Sequence, residues 1–104
     1  MAITEIKENE FENATKEGFV IVDFYGSNCA PCKTLERTLE ELDFEAPFIN
    51  IVKLKIDETE NIIEQQGITS VPTVFFMKDG EVLEKKLGFI PLNEMKEIVG
   101  KYMY

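Results

Sequence analysis

The feature that most constrains the fold of this chain is an uninterrupted run of β-branched and aromatic residues. The run reads FVIVDFY, from Phe19 to Tyr25, and apolar side chains occupy both odd and even positions. Since successive side chains of a strand point to opposite faces, the pattern predicts a strand covered on both faces of a sheet. Asp23 is the one charge in the run, so a functional role is favoured over that of a solvated carboxylate at a strand end.

Strand and helix patterns alternate along the rest of the chain, which ends in a hairpin and a helix. Leucines recur at helical spacing after residue 30, Asp79-Gly80 predicts a two-residue hairpin turn, and Pro91 suits the first turn of a last helix. The helix predicted before the hairpin has Thr59 as a possible cap and ends at Gly67. The order β-α-β-α-β-α-β-β-α predicts an α/β fold, a mixed sheet with helices on both faces, as one domain over residues 1–104.

The charge balance limits the partners that the chain can bind. Twenty acidic and eleven basic residues, without histidine, give a formal net charge of -9. We therefore expect neither nucleic acid nor an anionic membrane as a partner. The opening MAITEIKENE lacks the basic and apolar parts of a secretory signal, and no apolar run approaches the roughly 20 residues of a membrane span. We expect a cytoplasmic protein, in which a close cysteine pair is more often catalytic or metal-binding than structural.

The two cysteines of the chain lie three residues apart in NCAPCK, after the buried strand and at the predicted start of a helix. Unpaired N–H groups and the helix dipole there favour a thiolate on Cys29, with Cys32 one turn inside the helix. Lowering a thiol pKa from about 8.5 to 7 takes roughly 2 kcal/mol, of which the dipole supplies about 0.3 to 1 kcal/mol. A hydrogen bond from the Cys32 thiol or a backbone N–H must supply much of the rest. Pro31 has no N–H to lose in the first turn and fixes its φ.

Two other uses of the cysteine pair stay open at this point. Thiolates at this spacing form half of a zinc site, but the chain has no histidine and no further cysteine to complete it. Carboxylates or a second subunit would then be needed, which is uncommon in zinc sites. Inert packing is the remaining alternative. We favour a reversible dithiol–disulfide couple, with no metal and no bound cofactor.

Four motifs, VDFYGSNCAPCK, VKLKID, GITSVPTVFFMKDGE and LG, stand in this order along the chain. With them the sequence resembles the thioredoxin family from about Phe19 to Met103. The resemblance implies the thioredoxin fold and a thiol-disulfide oxidoreductase that reduces protein disulfides. It assigns Cys29 as the nucleophile and Cys32 as the resolving thiol. It also implies electron transport from a thioredoxin reductase, which recharges the pair, and we expect the chain to act as a monomer.

The same resemblance implies further site residues. Asp23 matches a buried aspartate that relays a proton for the resolving thiol, and Lys53 matches a lysine that can pair with it. Pro72 matches a cis-proline that exposes the backbone of Val71 to a substrate segment, and Gly88 matches a glycine that lets substrates approach. The alternatives are an ordinary exposed lysine at Lys53, a proline that only starts a strand, and a glycine that only ends one.

The chain departs from the family pattern at three positions near the cysteines. Asn28 replaces the usual tryptophan, so a polar side chain takes part of the substrate platform. Ala30 replaces the usual glycine, and the dipeptide Ala30-Pro31 is expected to tune the redox potential through local N–H geometry. Arg37 replaces a proline that kinks the helix, so we expect that kink to be weak or absent.

Two competing functions share this fold. A glutaredoxin-like enzyme would use glutathione, but the chain lacks the cysteine-proline opening and the later paired glycines of that family. A non-enzymatic module would present the edge from Val71 to Thr73 to a partner, with the thiols idle or holding a metal. We favour a disulfide reductase.

Overall fold

The computed structural model describes residues 3–58 and 60–103, so the predicted cap at Thr59 lies outside the described residues. Within these ranges five strands and four α-helices follow the order that the sequence predicts, and none of these helices is long and apolar enough to cross a membrane. The elements are β1 (Ile3–Glu5), α1 (Phe11–Thr15), β2 (Phe19–Tyr25), α2 (Ala30–Glu45), β3 (Asn50–Lys55), α3 (Glu60–Gln66), β4 (Thr73–Lys78), β5 (Glu81–Leu87) and α4 (Leu92–Tyr102). Short 3-10 turns, Glu8–Glu10 and Ile56–Glu58, precede α1 and α3.

The sheet is mixed, as predicted, with strand order β1-β3-β2-β4-β5. β2 lies at its centre, parallel to β3 and antiparallel to β4, and β3 is in turn parallel to β1. In this register Asp23 lies beside Lys53 of β3 and beside Val74 of β4. The central position explains why β2 reads as a continuous apolar run, because helices cover it from both sides.

Two hydrophobic cores, one on each face of the sheet, bury the helices against β2. On one face Val20, Val22 and Phe24 pack with residues of α1 and α3. On the other face Ile21 packs with Leu35, Leu39 and residues of α4. Since side chains alternate along a strand, Asp23 lies on the same face as Ile21, under α2. Full burial of each of these apolar side chains contributes about 1.5 to 3 kcal/mol to stability.

The predicted turns and helix ends are found where the sequence places them, with one shift. Asp79 and Gly80 form the hairpin turn with φ of 52° and 85°, and Gly67, with φ of 66°, ends α3. α2 runs without a break past Arg37. Pro91 caps α4 and does not lie in its first turn, because its backbone is extended and the helix starts at Leu92.

Candidate active site

A disulfide joins Cys29 and Cys32 at the N-terminus of α2, so the structure holds the oxidised form of the pair. Cys29 is the N-cap residue, with extended backbone, and its sulfur accepts a hydrogen bond of 3.2 Å from the backbone N–H of Cys32. Pro31 occupies the first turn between them. The backbone donor that the thiolate of Cys29 requires is therefore in place.

The surroundings of the pair separate an outer from an inner cysteine. Cys29 retains 8% of its surface exposed and Cys32 retains 4%, so Cys29 is the more accessible of two buried cysteines. Asn28 and Ala30 are exposed next to Cys29. Asn28 has a φ of 51°, in the left-handed region that asparagine tolerates better than most residues. A polar side chain at this position thus suits the turn that leads into α2.

The segment from Val71 to Thr73 approaches the disulfide from the other side. The Val71–Pro72 peptide bond is cis, as the family resemblance implies, and the carbonyl oxygen of Val71 lies 3.9 Å from Sγ of Cys29. Gly88 follows β5 with a φ of 83° and donates its N–H to the carbonyl of Pro72 over 2.8 Å. A Cβ atom at Gly88 would meet no atom within 4 Å, so the space above it is open. Val71, Pro72 and Gly88 therefore lie together on this side of Cys29.

Asp23 is almost fully buried, with 1% of its surface exposed, so the alternative of a solvated carboxylate is wrong. Its Oδ1 atom has no hydrogen-bond partner among the described residues. Burial raises the pKa of Asp23 to about 7, the positive charge of Lys53 opposes this rise, and the negative charge of Glu36 adds to it. Burial dominates because an ionised carboxylate loses its hydration there.

Lys53 is partly buried, and its ammonium pairs with a residue that sequence reasoning did not single out. Its Nζ atom lies 2.5 Å from Oε2 of Glu36 and 5.3 Å from the centroid of the Tyr25 ring. Among the described residues no ion pair joins Lys53 to Asp23, which the resemblance names as its partner. The reason is that pairing with the more exposed Glu36 costs less hydration than pairing with a fully buried carboxylate. Partial burial works to lower the pKa of Lys53, but the hydrogen bond and charge of Glu36 prevail and raise it.

A cavity of about 200 Å³ connects these groups, and we call it the Asp23 cavity. Its lining includes Asp23, Tyr25, Cys32, Glu36, Lys53 and Lys55. The inner cysteine and the buried carboxyl thus face one space. Glu36 follows Cys32 by four residues in α2, and this spacing on one helix face is the signal that could have identified it. Tyr25, at the edge of the cavity, donates a hydrogen bond to the carboxylate of Glu5.

The arrangement supports thiol chemistry next to a titratable carboxyl. The sulfur of Cys29 lies at the N-terminus of α2 with a backbone donor, and Cys32 lines the same cavity as a carboxyl whose pKa is about 7. In the part of the chain that the structure describes, no group of three or more His, Cys, Asp or Glu side chains is placed to hold a metal ion.

Comparison with known proteins places the chain in one family over nearly its whole length. The Thioredoxin family model matches residues 2–101. A thioredoxin of Bacillus subtilis is 39% identical, covering 99% of this chain and 100% of its own, and a thioredoxin of Listeria monocytogenes is 37% identical, covering 97% and 99%.

Solved structures show the same fold. A mutant thioredoxin from Halobacterium salinarum superposes with a TM-score of 0.89 at 25% identity, covering 99% of this chain and 92% of its own. A chloroplastic thioredoxin z superposes with a TM-score of 0.86 at 27% identity, covering 97% and 94%. With its Cys29–Cys32 couple, the chain belongs to the thioredoxin family and is a thiol-disulfide oxidoreductase that reduces protein disulfides.

Proposed function

We propose that Cys29 is the attacking thiolate of this disulfide reductase and that Cys32 is its resolving thiol. The observation that carries the proposal is the N–H of Cys32, which points at the sulfur of Cys29 at the N-terminus of α2. A donor and a helix dipole at this position favour negative charge on the outer sulfur. Ala30 and Pro31 set the geometry of that donor and so tune the redox potential.

The reaction moves two electrons from the dithiol to the substrate. The Cys29 thiolate attacks one substrate sulfur, the substrate disulfide breaks, and the other substrate sulfur leaves as a thiolate that takes up a proton. The Cys32 thiol then loses its proton and attacks Sγ of Cys29. The mixed disulfide breaks, the first substrate sulfur leaves as a second thiolate, and the Cys29–Cys32 disulfide remains.

Asp23 is the proton carrier of the second step in this proposal. Cys32 and Asp23 line the same cavity, and a carboxyl with a pKa of about 7 is matched to proton transfer near neutral pH. Asp23 accepts the thiol proton when Cys32 attacks and returns it when the disulfide is reduced again. Lys53 lies beside Asp23 in the sheet, and its positive charge favours the ionised form of the Asp23 carboxyl.

The substrate segment binds along the backbone of Val71, next to the cis-proline Pro72. The Val71 carbonyl lies 3.9 Å from the sulfur of Cys29, so an extended segment there would place its own sulfur near the nucleophile. The open space above Gly88 leaves room for that segment, and the exposed Asn28 contributes a polar contact.

The remaining parts of the proposal concern partners and setting. Residues 1–104 act as one domain and as a monomer in the cytoplasm, and a thioredoxin reductase returns two electrons to the disulfide. The acidic surface, with a net charge of -9, favours docking partners that present basic patches.

The test is reduction of insulin by the wild type and by the variants Cys29→Ser and Cys32→Ser, with NADPH and a thioredoxin reductase. We expect turnover to be lost in both variants and kept in Thr34→Ser, a matched change at an exposed position of the same helix. Under substrate alone, Cys32→Ser should accumulate a mixed disulfide through Cys29. Accumulation in Cys29→Ser instead would reverse the assigned order of attack.

The electron donor is tested in the same assay. Turnover of the wild type with glutathione and glutathione reductase, but none with a thioredoxin reductase, would contradict the proposed donor.

A further inference from the structure

The ammonium of Lys53 lies beside Asp23 in the sheet but is bound elsewhere. β2 and β3 pair in parallel with Asp23 opposite Lys53, yet Nζ lies 2.5 Å from Oε2 of Glu36. Oδ1 of Asp23 is buried and has no hydrogen-bond partner among the described residues. A cation that could neutralise the buried carboxylate is therefore held by a second carboxylate in the same cavity.

The position of Glu36 in α2 explains why it can hold Lys53. It lies four residues after Cys32, so its side chain projects from the same helix face into the Asp23 cavity. Its side chain is 42% exposed, against 1% for the whole of Asp23. An ionised carboxylate at Glu36 keeps part of its hydration, so an ion pair forms there at lower cost than at Asp23.

We propose that Glu36 is a positioning residue of the active site, which holds the ammonium of Lys53 away from Asp23 and so keeps the buried carboxyl able to carry the proton of Cys32. The inference rests on the role of Asp23 given under Proposed function. Glu36 touches neither the substrate nor the reacting sulfurs in this scheme, and it acts through Lys53.

The charged and titratable groups around Asp23 come from α2 and from strands β1, β2 and β3. They are Glu5 of β1, Tyr25 of β2, Lys53 and Lys55 of β3, and Cys32, Lys33 and Glu36 of α2. Without the charge of Glu36, the ammonium of Lys53 is free to turn toward Asp23. The approach of the Lys53 ammonium and the loss of the Glu36 charge both favour the ionised form of Asp23. Its carboxyl would therefore release the proton at a lower pH.

The experiment is a carbon-13 NMR titration of the Asp23 carboxyl in the oxidised full-length chain. We expect the midpoint in Glu36→Gln to fall by about one pH unit or more relative to the wild type. Glu40→Gln is the matched control, because it removes the same charge from an exposed position one turn further along α2. A midpoint in Glu36→Gln that equals the wild type, equals the Glu40→Gln value or lies above the wild type would overturn the inference.

A second background separates the proposed route through Lys53 from a direct effect of the Glu36 charge. In Lys53→Met, the further change Glu36→Gln should shift the Asp23 midpoint much less than it does when Lys53 is present. An equal shift in both backgrounds would refute the positioning role.

These titrations do not depend on turnover, so the inference and the proposed function fail separately. If Asp23→Asn reduced insulin as fast as the wild type, the proton-carrying role of Asp23 would be lost, while the titration would still report whether Glu36 controls its charge. If the Asp23 midpoint were the same in Glu36→Gln and in the wild type while Asp23→Asn lost activity, the positioning role of Glu36 would be refuted. The proton-carrying role of Asp23 would stand.

Discussion

At the scale of single residues, the burial of Asp23 costs the fold free energy. A carboxylate that is 1% exposed, with one oxygen lacking a hydrogen-bond partner among the described residues, is a poor choice for stability alone. The same burial brings its pKa to about 7, where a proton is easily gained and lost. The burial that makes Asp23 costly therefore also gives the stability of the fold a measurable dependence on pH.

The variant Asp23→Asn should remove most of that dependence. The pKa of Asp23 is raised from 3.8 to about 7 on folding, so the folded state binds the proton more tightly, and the wild type loses stability as pH rises through this interval. Between pH 5 and pH 8 we expect the wild type to lose about 2 to 3 kcal/mol more than the variant. Urea unfolding of the oxidised proteins at both pH values measures this difference.

The control for this prediction is Glu40→Gln, which removes an exposed carboxylate of α2. Its stability should follow the wild type across the same pH range. Parallel curves for the wild type and Asp23→Asn would show that the buried carboxyl keeps an ordinary pKa.

The residues of the site differ in how clearly the local sequence identifies them. Cys29, Cys32 and Asp23 are visible because each breaks a local pattern: two cysteines at a helix start, and one charge in an apolar strand. Glu36 is one of several glutamates in an amphipathic helix, and its local signal is weak, namely its place four residues after Cys32. Its partner Lys53 is 17 residues away, so their ion pair depends on how α2 lies over the sheet.

At the scale of elements, the 3-10 turn before α1 supplies a cap for a helix far along the chain. Oε1 of Glu8 accepts the backbone N–H of Ile62, and Oε2 accepts the side-chain N–H of Asn61, each over 3.0 Å. The N–H of Ile62 belongs to the first turn of α3, where backbone N–H groups lack intrahelical acceptors. Sequence patterns locate α3 and its end at Gly67, but a cap supplied from about fifty residues away has no local signal.

Glu8→Gln should weaken the start of α3 at neutral pH. The hydrogen bond from the N–H of Ile62 lowers the pKa of Glu8, so the ionised carboxylate stabilises the folded state above the ordinary value of 4.5. That contribution is lost as pH falls through the lowered folded pKa. The amide of Ile62 should therefore exchange faster in the variant than in the wild type at pH 7, as measured by hydrogen-exchange NMR.

The matched control is Glu12→Gln, an exposed glutamate of α1. The amide of Ile62 should exchange there as in the wild type. Unchanged exchange in Glu8→Gln at pH 7 would mean that the carboxylate does not cap α3.

At the scale of the whole molecule, the arrangement of elements was predictable because each pattern agrees with its neighbours. The continuous apolar run of β2 requires cover on both faces, and α2 and α4 on one side and α1 and α3 on the other supply it. The order of the strands in the sheet is harder to predict from the sequence. β1 has three residues and pairs with β3 and not with its neighbour in sequence, so its place depends on long-range packing.

The net charge of -9 should make the folded state more stable in moderate salt. Like charges crowd together on folding, and salt screens this repulsion over a Debye length of about 10 Å at 0.1 M. The urea midpoint at pH 8 should therefore rise between low salt and about 0.2 M sodium chloride. Near pH 4.5, the isoelectric point of the sequence, the same salt should change the midpoint little. A fall of the midpoint at pH 8 would mean that ion pairs such as Lys53–Glu36, which salt also screens, outweigh the general repulsion.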